Sequence, residues 1–416
     1  MSLVQRIARA QAVQVLFRSQ FGLYLAGNTL SLTGTWMQRI ASSWLVWDWT
    51  GSAFWVGVLA ASDLLPVVVI SPFAGVAADR WDRLRLNVVA QVLSILNAVT
   101  MALAMVTGHL GLWGVLALTL MQGVLTAATQ PSRFAMVQQM VHRDQVASAV
   151  GLNSACVNIA RLVGPAVAGA MILHWGVPQV FTVNAAVTVL FVLVLLRLRL
   201  EPIAKSPPAP FLAQMLEGFA YAARIPALRV ILLAMFGGGA MVRAVMELMP
   251  VIAAQSFADA VTGLAMLTGS AAVGAVLAGL SVGQPTPVHL LRQAPIWWAF
   301  GAVTAIFLAR ATGPVTGVLA AMALGATITR GLVCTQTFIQ LTTPGTLRGR
   351  TLSVFGLFAR GSPALGALAI GYGADLMGMQ ATVLLSSGLL FVVLAALALP
   401  LWRISKALND GATPFD

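Results

Sequence analysis

The sequence has little charge for its length: only 9% of its 416 residues are Asp, Glu, Lys or Arg. Acidic residues number just 12, whereas 59% of the residues are hydrophobic. A water-soluble protein of this size needs more charged side chains to cover its surface, and its core could not bury so much apolar side chain. The composition therefore excludes a soluble globular protein and predicts a polytopic membrane protein.

Cysteine and histidine are also rare, with 2 and 4 residues. Cys156 and Cys334 lie in separate apolar stretches, so neither a disulfide nor a redox pair is expected. The histidines are scattered over connections, and no glycine loop followed by Lys and Ser or Thr is present. We therefore expect no metal, no cofactor and no catalytic residues, so the chain is not expected to be an enzyme.

Apolar stretches of about 20 residues, the length that crosses a bilayer as a helix, occur twelve times. A polar connection with a Pro-rich start, residues 201–227, separates the first six from the last six. An apolar stripe within it predicts a helix at the membrane surface, formed by Phe211, Met215, Leu216 and Phe219. The expected fold is an all-α integral membrane protein whose two six-helix halves are residues 1–200 and 228–416.

Lys and Arg are distributed unevenly between the two sets of connections. Eighteen of the 24 fall on the side that also holds both termini, and Arg310 alone falls on the other side. Connections rich in Lys and Arg remain in the cytoplasm, so both termini are predicted to be cytoplasmic, in a bacterial-type inner membrane. The net charge of +12 then reflects topology, and no nucleic-acid partner is expected.

The connection after the second stretch reads GVAADRWDRLR and concentrates charge in a chain that otherwise has little. Asp79 is badly placed for its own helix, because a carboxylate at a helix C-terminus opposes the helix dipole. The pattern resembles the loop-two motif of the major facilitator superfamily, with Gly75, Asp79, Arg80 and Arg83 matching and Asp82 replacing the usual Gly. The resemblance implies twelve helices and a cytoplasmic gate in which Asp79 binds a helix start in the other half.

The fifth stretch, NIARLVGPAVAGAMI, resembles the antiporter motif of the same superfamily. Gly164, Pro165 and Gly169 match, whereas Ala160 and Ala168 replace glycines. Small residues and a proline permit close helix approach and a bend, as a moving interface needs. Ordinary packing of small residues is the alternative interpretation.

Longer segments resemble the branch of the superfamily that contains the enterobactin exporter and macrolide efflux proteins. They include WMQRIASSWLVWDWTGSAFWVG, PSRFAMVQQMVHRDQVASAVG and TPGTLRGRTLSVFGLFARG. The resemblance implies a secondary transporter that works by alternating access, and the chain is expected to be a monomer in the lipid bilayer. Its expected activity is proton-coupled export of a small amphiphilic or anionic compound, which is siderophore-, drug- or metabolite-like.

Seven ionisable residues lie inside the apolar stretches, where charge is costly and marks functional positions. Arg39 and Asp63 lie at matching depths, and Arg243 and Glu247 are four residues apart on one helix, so each set is predicted to pair. These pairs are either structural, or they hold the carboxylate, Asp63 or Glu247, that carries the coupling proton.

Three further arginines within the stretches have no matching carboxylate: Arg161, Arg330 and Arg360. Such guanidinium groups bind either helix ends or an anionic cargo, and together they favour the cargo. Two other functions stay open: an importer or uniporter of an organic anion or lipid-like molecule, and a non-transport membrane assembly factor.

Overall fold

The computed structural model is built from helices over the residues it describes, namely 20–80, 82–142, 145–200, 211–280 and 286–410. The predicted cytoplasmic positions of the two termini and the start of the 201–227 linker fall outside these residues. The first six helices are α1 Gln20–Thr50, α2 Ala53–Arg80, α3 Arg83–Val106, α4 Leu112–Gln139, α5 Val146–Trp175 and α6 Val177–Arg197.

The helix predicted in the linker is present as α7, Phe211–Arg224. The seventh apolar stretch is divided into α8 Pro226–Gly238, a π-helical turn Gly239–Arg243, α9 Ala244–Glu247 and α10 Met249–Ser256. The remaining helices are α11 Ala260–Leu280, α12 Pro287–Ala309, α13 Pro314–Thr342, α14 Gly345–Met377 and α15 Met379–Asn409.

Ten helices of the described chain are long and apolar enough to cross a membrane. The other two of the twelve predicted stretches are α1 and α12, with 31 and 23 residues, and polar side chains such as Asn28 and Arg292 reduce their hydropathy. The all-α membrane fold predicted from the apolar stretches is confirmed, and the twelve stretches are consistent with these helices.

Two helices depart from a simple apolar span. The helix over the fourth apolar stretch, α4, continues through Pro131 to Gln139. Around this proline the hydroxyl groups of Thr129 and Ser132 donate to the carbonyl oxygens of Leu125 and Thr129. The seventh stretch is not one regular helix, because a π-helical turn follows the run Gly237–Gly238.

The chain forms two compact units. The first comprises residues 1–45 and 69–208, and one of its cores packs Phe21, Tyr24, Met136 and Phe191 from α1, α4 and α6. The second comprises residues 46–68 and 209–416. The boundaries predicted from the apolar stretches, at residues 200 and 228, stay a prediction.

In the second unit, α7 packs against the protein with one face. Phe219 and Tyr221 contact a core that includes Leu228, Leu291 and Phe338. The Tyr221 hydroxyl is buried without a hydrogen-bond partner among the described residues, and this burial raises the pKa of Tyr221. Glu217 forms an ion pair with Arg350 at the start of α14. The linker helix is thereby attached to the second unit.

Candidate functional site

In the first unit, one indole ring brings two of the predicted arginines together. The guanidinium carbons of Arg39, on α1, and Arg161, on α5, each lie 5.1 Å from the ring centroid of Trp36. A guanidinium over an indole face gains cation–π energy, which offsets part of the cost of removing it from water. Both arginines are half-buried. The structure therefore places two positive charges around one aromatic side chain.

The antiporter-like motif forms the contact that holds this arrangement. A Cβ atom on Gly164 would lie 2.6 Å from the Cβ of Trp36 and 3.1 Å from the carbonyl oxygen of Thr33. Gly164, Pro165 and Gly169 are all buried within α5. Because Gly164 has no side chain, α5 can approach α1 at Trp36, whose ring contacts both guanidinium groups.

A further half-buried arginine, Arg133, lies in the last two turns of α4. Its Nε donates to Asn87 Oδ1 at 3.3 Å, and its Nη1 donates to Asn28 Oδ1 at 3.5 Å. Its guanidinium carbon lies 5.7 Å from the Phe191 ring centroid. The amides of Asn28 and Asn87 within apolar stretches were the signal in the sequence that could have found this cluster.

In the second unit, Arg243 joins the π-helical turn to α14. Its Nη1 donates to the carbonyl oxygen of Ala359 at 2.8 Å, immediately before Arg360. The predicted partner Glu247 is half-buried and ends α9, one turn after Arg243. π-Helical turns occur frequently at functional sites, because they shift the side chains that follow. Arg243, Glu247 and Arg360 thus belong to neighbouring elements of one unit.

Arg330 also contacts an aromatic ring: its guanidinium carbon lies 5.5 Å from the Trp297 ring centroid. The next residue of α12, Trp298, is buried between two glycines. A Cβ on Gly238 or Gly331 would lie 2.1 or 2.7 Å from the Trp298 ring. Of these two adjacent residues, Trp298 therefore packs α12 against the glycines, and Trp297 contacts Arg330.

The predicted pair of Arg39 and Asp63 falls in different compact units. Asp63 is half-buried in α2. The pairing of the two side chains stays a prediction.

The loop-two motif is described in part. Gly75, Asp79 and Arg80 lie in the last turns of α2, and their side chains are outside the described residues. Arg83 begins α3. Asp82, which departs from the superfamily pattern, is the N-cap of α3: its Oδ1 accepts a 2.8 Å hydrogen bond from the Arg85 backbone N–H. The substitution has a local function in starting this helix.

Over the described residues, no group of three His, Cys, Asp or Glu side chains could hold a metal ion. The polar groups within the helices are mainly arginines, amides and hydroxyls. Long apolar helices with half-buried arginines on several of them are typical of a multi-pass membrane protein whose functional charges lie within its helices.

The chain belongs to the family described as transmembrane secretion effector, which matches residues 12–413. The multidrug efflux pump Tap of Mycolicibacterium fortuitum is 25% identical over 91% of this chain and 93% of its own. The staphyloferrin A transporter of Staphylococcus aureus is 25% identical over 43% of this chain and 45% of its own. The match to the transporter YfiS of Bacillus subtilis covers 52% of YfiS. The chain thus spans about half the length of these two relatives, YfiS and the staphyloferrin A transporter.

Solved structures support the fold. A mutant of the nucleoside transporter NupG superposes with a TM-score of 0.71 at 15% identity, over 94% of this chain and 99% of its own. A bacterial homologue of the lysosomal transporter Spinster gives a TM-score of 0.69 at 16% identity, over 94% of this chain and 98% of its own. The relatives that these comparisons name are transporters, and the superfamily expected from the motifs is confirmed.

Proposed function

We propose that this protein is a proton-coupled exporter of a small amphiphilic or anionic compound, working by alternating access in the bacterial inner membrane. The observation that carries the anionic preference is the placement of the Arg39 and Arg161 guanidinium groups around Trp36. Two like charges held at one ring repel each other, so a negatively charged group between or beside them gains energy from both.

The balance of charge within the helices supports the same preference. Within the twelve apolar stretches, which are shorter than the helices, five arginines accompany two carboxylates: Arg39, Arg161, Arg243, Arg330 and Arg360 against Asp63 and Glu247. Interactions between charges strengthen where water is excluded, so this surplus attracts anions and repels cations. Trp36 and Trp297 supply flat apolar surface beside two of these sites, which suits a cargo that is both amphiphilic and charged.

Export is supported by the names of the relatives, which include macrolide efflux protein A of Streptococcus pyogenes and the pump Tap. For coupling, Asp63 and Glu247 are the proposed proton carriers because they are carboxylates within the helices. Gly75, Asp79, Arg80 and Arg83 are the proposed cytoplasmic gate. We propose a monomer with both termini in the cytoplasm.

The test is a binding and flux experiment on purified protein. Anionic, neutral and cationic amphiphiles of matched size are ranked by thermal shift, since a ligand that binds the folded state stabilises it according to its concentration relative to Kd. The best anion is then loaded into proteoliposomes with and without a pH gradient. We expect Arg39→Gln and Arg161→Gln to raise the Kd of the anion about tenfold, the effect of losing one charge-assisted contact.

Arg310→Gln is the matched control, because Arg310 is an exposed arginine at the end of α12 and should leave the Kd unchanged. Asp63→Asn should abolish accumulation driven by the pH gradient while leaving binding intact. A ranking with cations first, or an unchanged Kd in both arginine variants, would contradict the anionic cargo.

A further inference from the structure

The first turn of α2 receives an unusual partner from α14. Asp375, near the C-terminal end of α14, accepts hydrogen bonds from the Ala53 backbone N–H at 2.7 Å and the Phe54 backbone N–H at 3.2 Å. The Ser52 hydroxyl donates to the same carboxylate, and Ser52 Oγ accepts from the Trp55 N–H at 3.4 Å. The first N–H groups of a helix have no partner within it, so a carboxylate from more than 300 residues away completes this helix start.

The helices that meet here are packed at backbone distance. A Cβ on Gly371 would lie 2.5 Å from the carbonyl oxygen of Ala53, and a Cβ on Gly57 would lie 2.4 Å from that of Ala367. The rings of Phe54 and Tyr372 meet edge to face with centroids 6.1 Å apart. All of these residues belong to the second compact unit, in which residues 46–68 cluster with residues 209–416. Glycines on both helices therefore allow the approach that brings Asp375 to the start of α2.

The end of α14 repeats the pattern at the end of α2. Residues 371–375 read GYGAD, and residues 75–79 read GVAAD. Each has a glycine four residues before an aspartate in the last turns of a long helix, where a carboxylate opposes its own helix dipole. At the end of α14 the structure shows what compensates this cost, because the N-terminal end of α2 binds the Asp375 carboxylate. Gly371 has no Cβ that would keep the two helices apart.

We propose that Gly371–Asp375 is a second gate motif, which closes the protein on the side opposite the arginine-rich connections. Asp375 holds the start of α2 against the end of α14 in the state seen here, and its hydrogen bonds break when that side opens. One carboxylate that caps another helix is suited to this role, because its bonds are few, directional and replaced by water on opening. This inference rests on the alternating access proposed above.

The experiment measures opening directly and requires no cargo. A reporter cysteine replaces Ala60, a buried residue one turn after Gly57 in α2, in protein whose Cys156 and Cys334 are changed to alanine. A membrane-impermeant maleimide is applied to oriented vesicles from each side. Asp375→Asn should increase labelling about tenfold from the side that bears Ser52 and should not increase it from the other side, because an amide has one acceptor oxygen and no charge where the carboxylate accepts through both oxygens.

Asp259→Asn is the matched control. Asp259 also caps a helix with its carboxylate, but it accepts from Val261 N–H at 3.3 Å and Thr262 N–H at 3.2 Å in its own helix, α11. This variant should leave labelling unchanged, and Ser52→Ala should give a smaller increase than Asp375→Asn.

Thermal stability of every variant separates opening from unfolding. Unchanged labelling in a folded Asp375→Asn variant, or an equal increase in Asp259→Asn, would overturn the second gate motif. An anion preference that fails in the binding screen while Asp375→Asn still opens one side would refute the cargo and leave the gate standing.

Discussion

Replacement of Gly164 by alanine tests whether close packing of α5 on α1 positions the two arginines of the first unit. The new Cβ would lie 2.6 Å from Trp36 Cβ, whereas ordinary contacts begin at 3.4 Å, so the helices must separate by about 0.8 Å. Trp36 Cβ is attached directly to the backbone and cannot move away by rotation of the side chain. Overpacking of this kind costs about 1–3 kcal/mol, and we expect the upper half of that range.

The assay is thermal unfolding in detergent, read by the loss of helical circular dichroism, which reports both compact units. Gly151→Ala is the control, because Gly151 lies on the same helix with no atom within 4 Å of its added Cβ. Alanine is the better helix former, so this control should be neutral or more stable by up to about 1 kcal/mol. The midpoint should fall for Gly164→Ala alone, and anion affinity should fall with it because Trp36 moves. Equal midpoints for the two variants would refute the packing argument.

Two further predictions concern the second unit. Gly274→Ala would place a Cβ 1.8 Å from the Met322 carbonyl oxygen on α13, so the loss of stability should reach about 3 kcal/mol. The control Gly269→Ala places its Cβ in open space and should be neutral. Equal unfolding midpoints for the two variants would contradict this prediction. Tyr221→Phe removes a buried hydroxyl that has no partner among the described residues and should raise stability by about 1 kcal/mol in the same assay, whereas a lower midpoint would show that the hydroxyl is bonded.

Most of the fold was predictable from the sequence for a simple reason. In lipid every backbone polar group must be satisfied internally, so an apolar stretch of sufficient length has to be a helix. Composition therefore predicted the class, and the motifs around Asp79 and Gly164 indicated the superfamily. Local sequence was less informative at a proline, which either ends a helix or is accommodated within it. A proline disfavours a helix interior, yet α4 continues through Pro131, so the proline does not indicate where this helix ends.

The candidate site was predictable as a set of residues but not as an arrangement. Scarcity of charge by itself singled out Arg39, Arg161 and Arg330, since an ionisable residue in an apolar stretch is costly and needs a reason. Which groups compensate each arginine depends on neighbours that are distant in sequence.

The sequence alone thus determined that the chain is a helical membrane protein of the major facilitator superfamily and which of its charges lie within the apolar stretches. Only the tertiary structure decided that Arg39 and Arg161 share Trp36, that Arg243 donates to Ala359, and that Asp375 completes the first turn of α2. Helix formation depends on local composition, because its hydrogen bonds close within four residues. Contacts between helices depend on which side chains are small enough to let two backbones approach, and that choice involves residues from both helices at once.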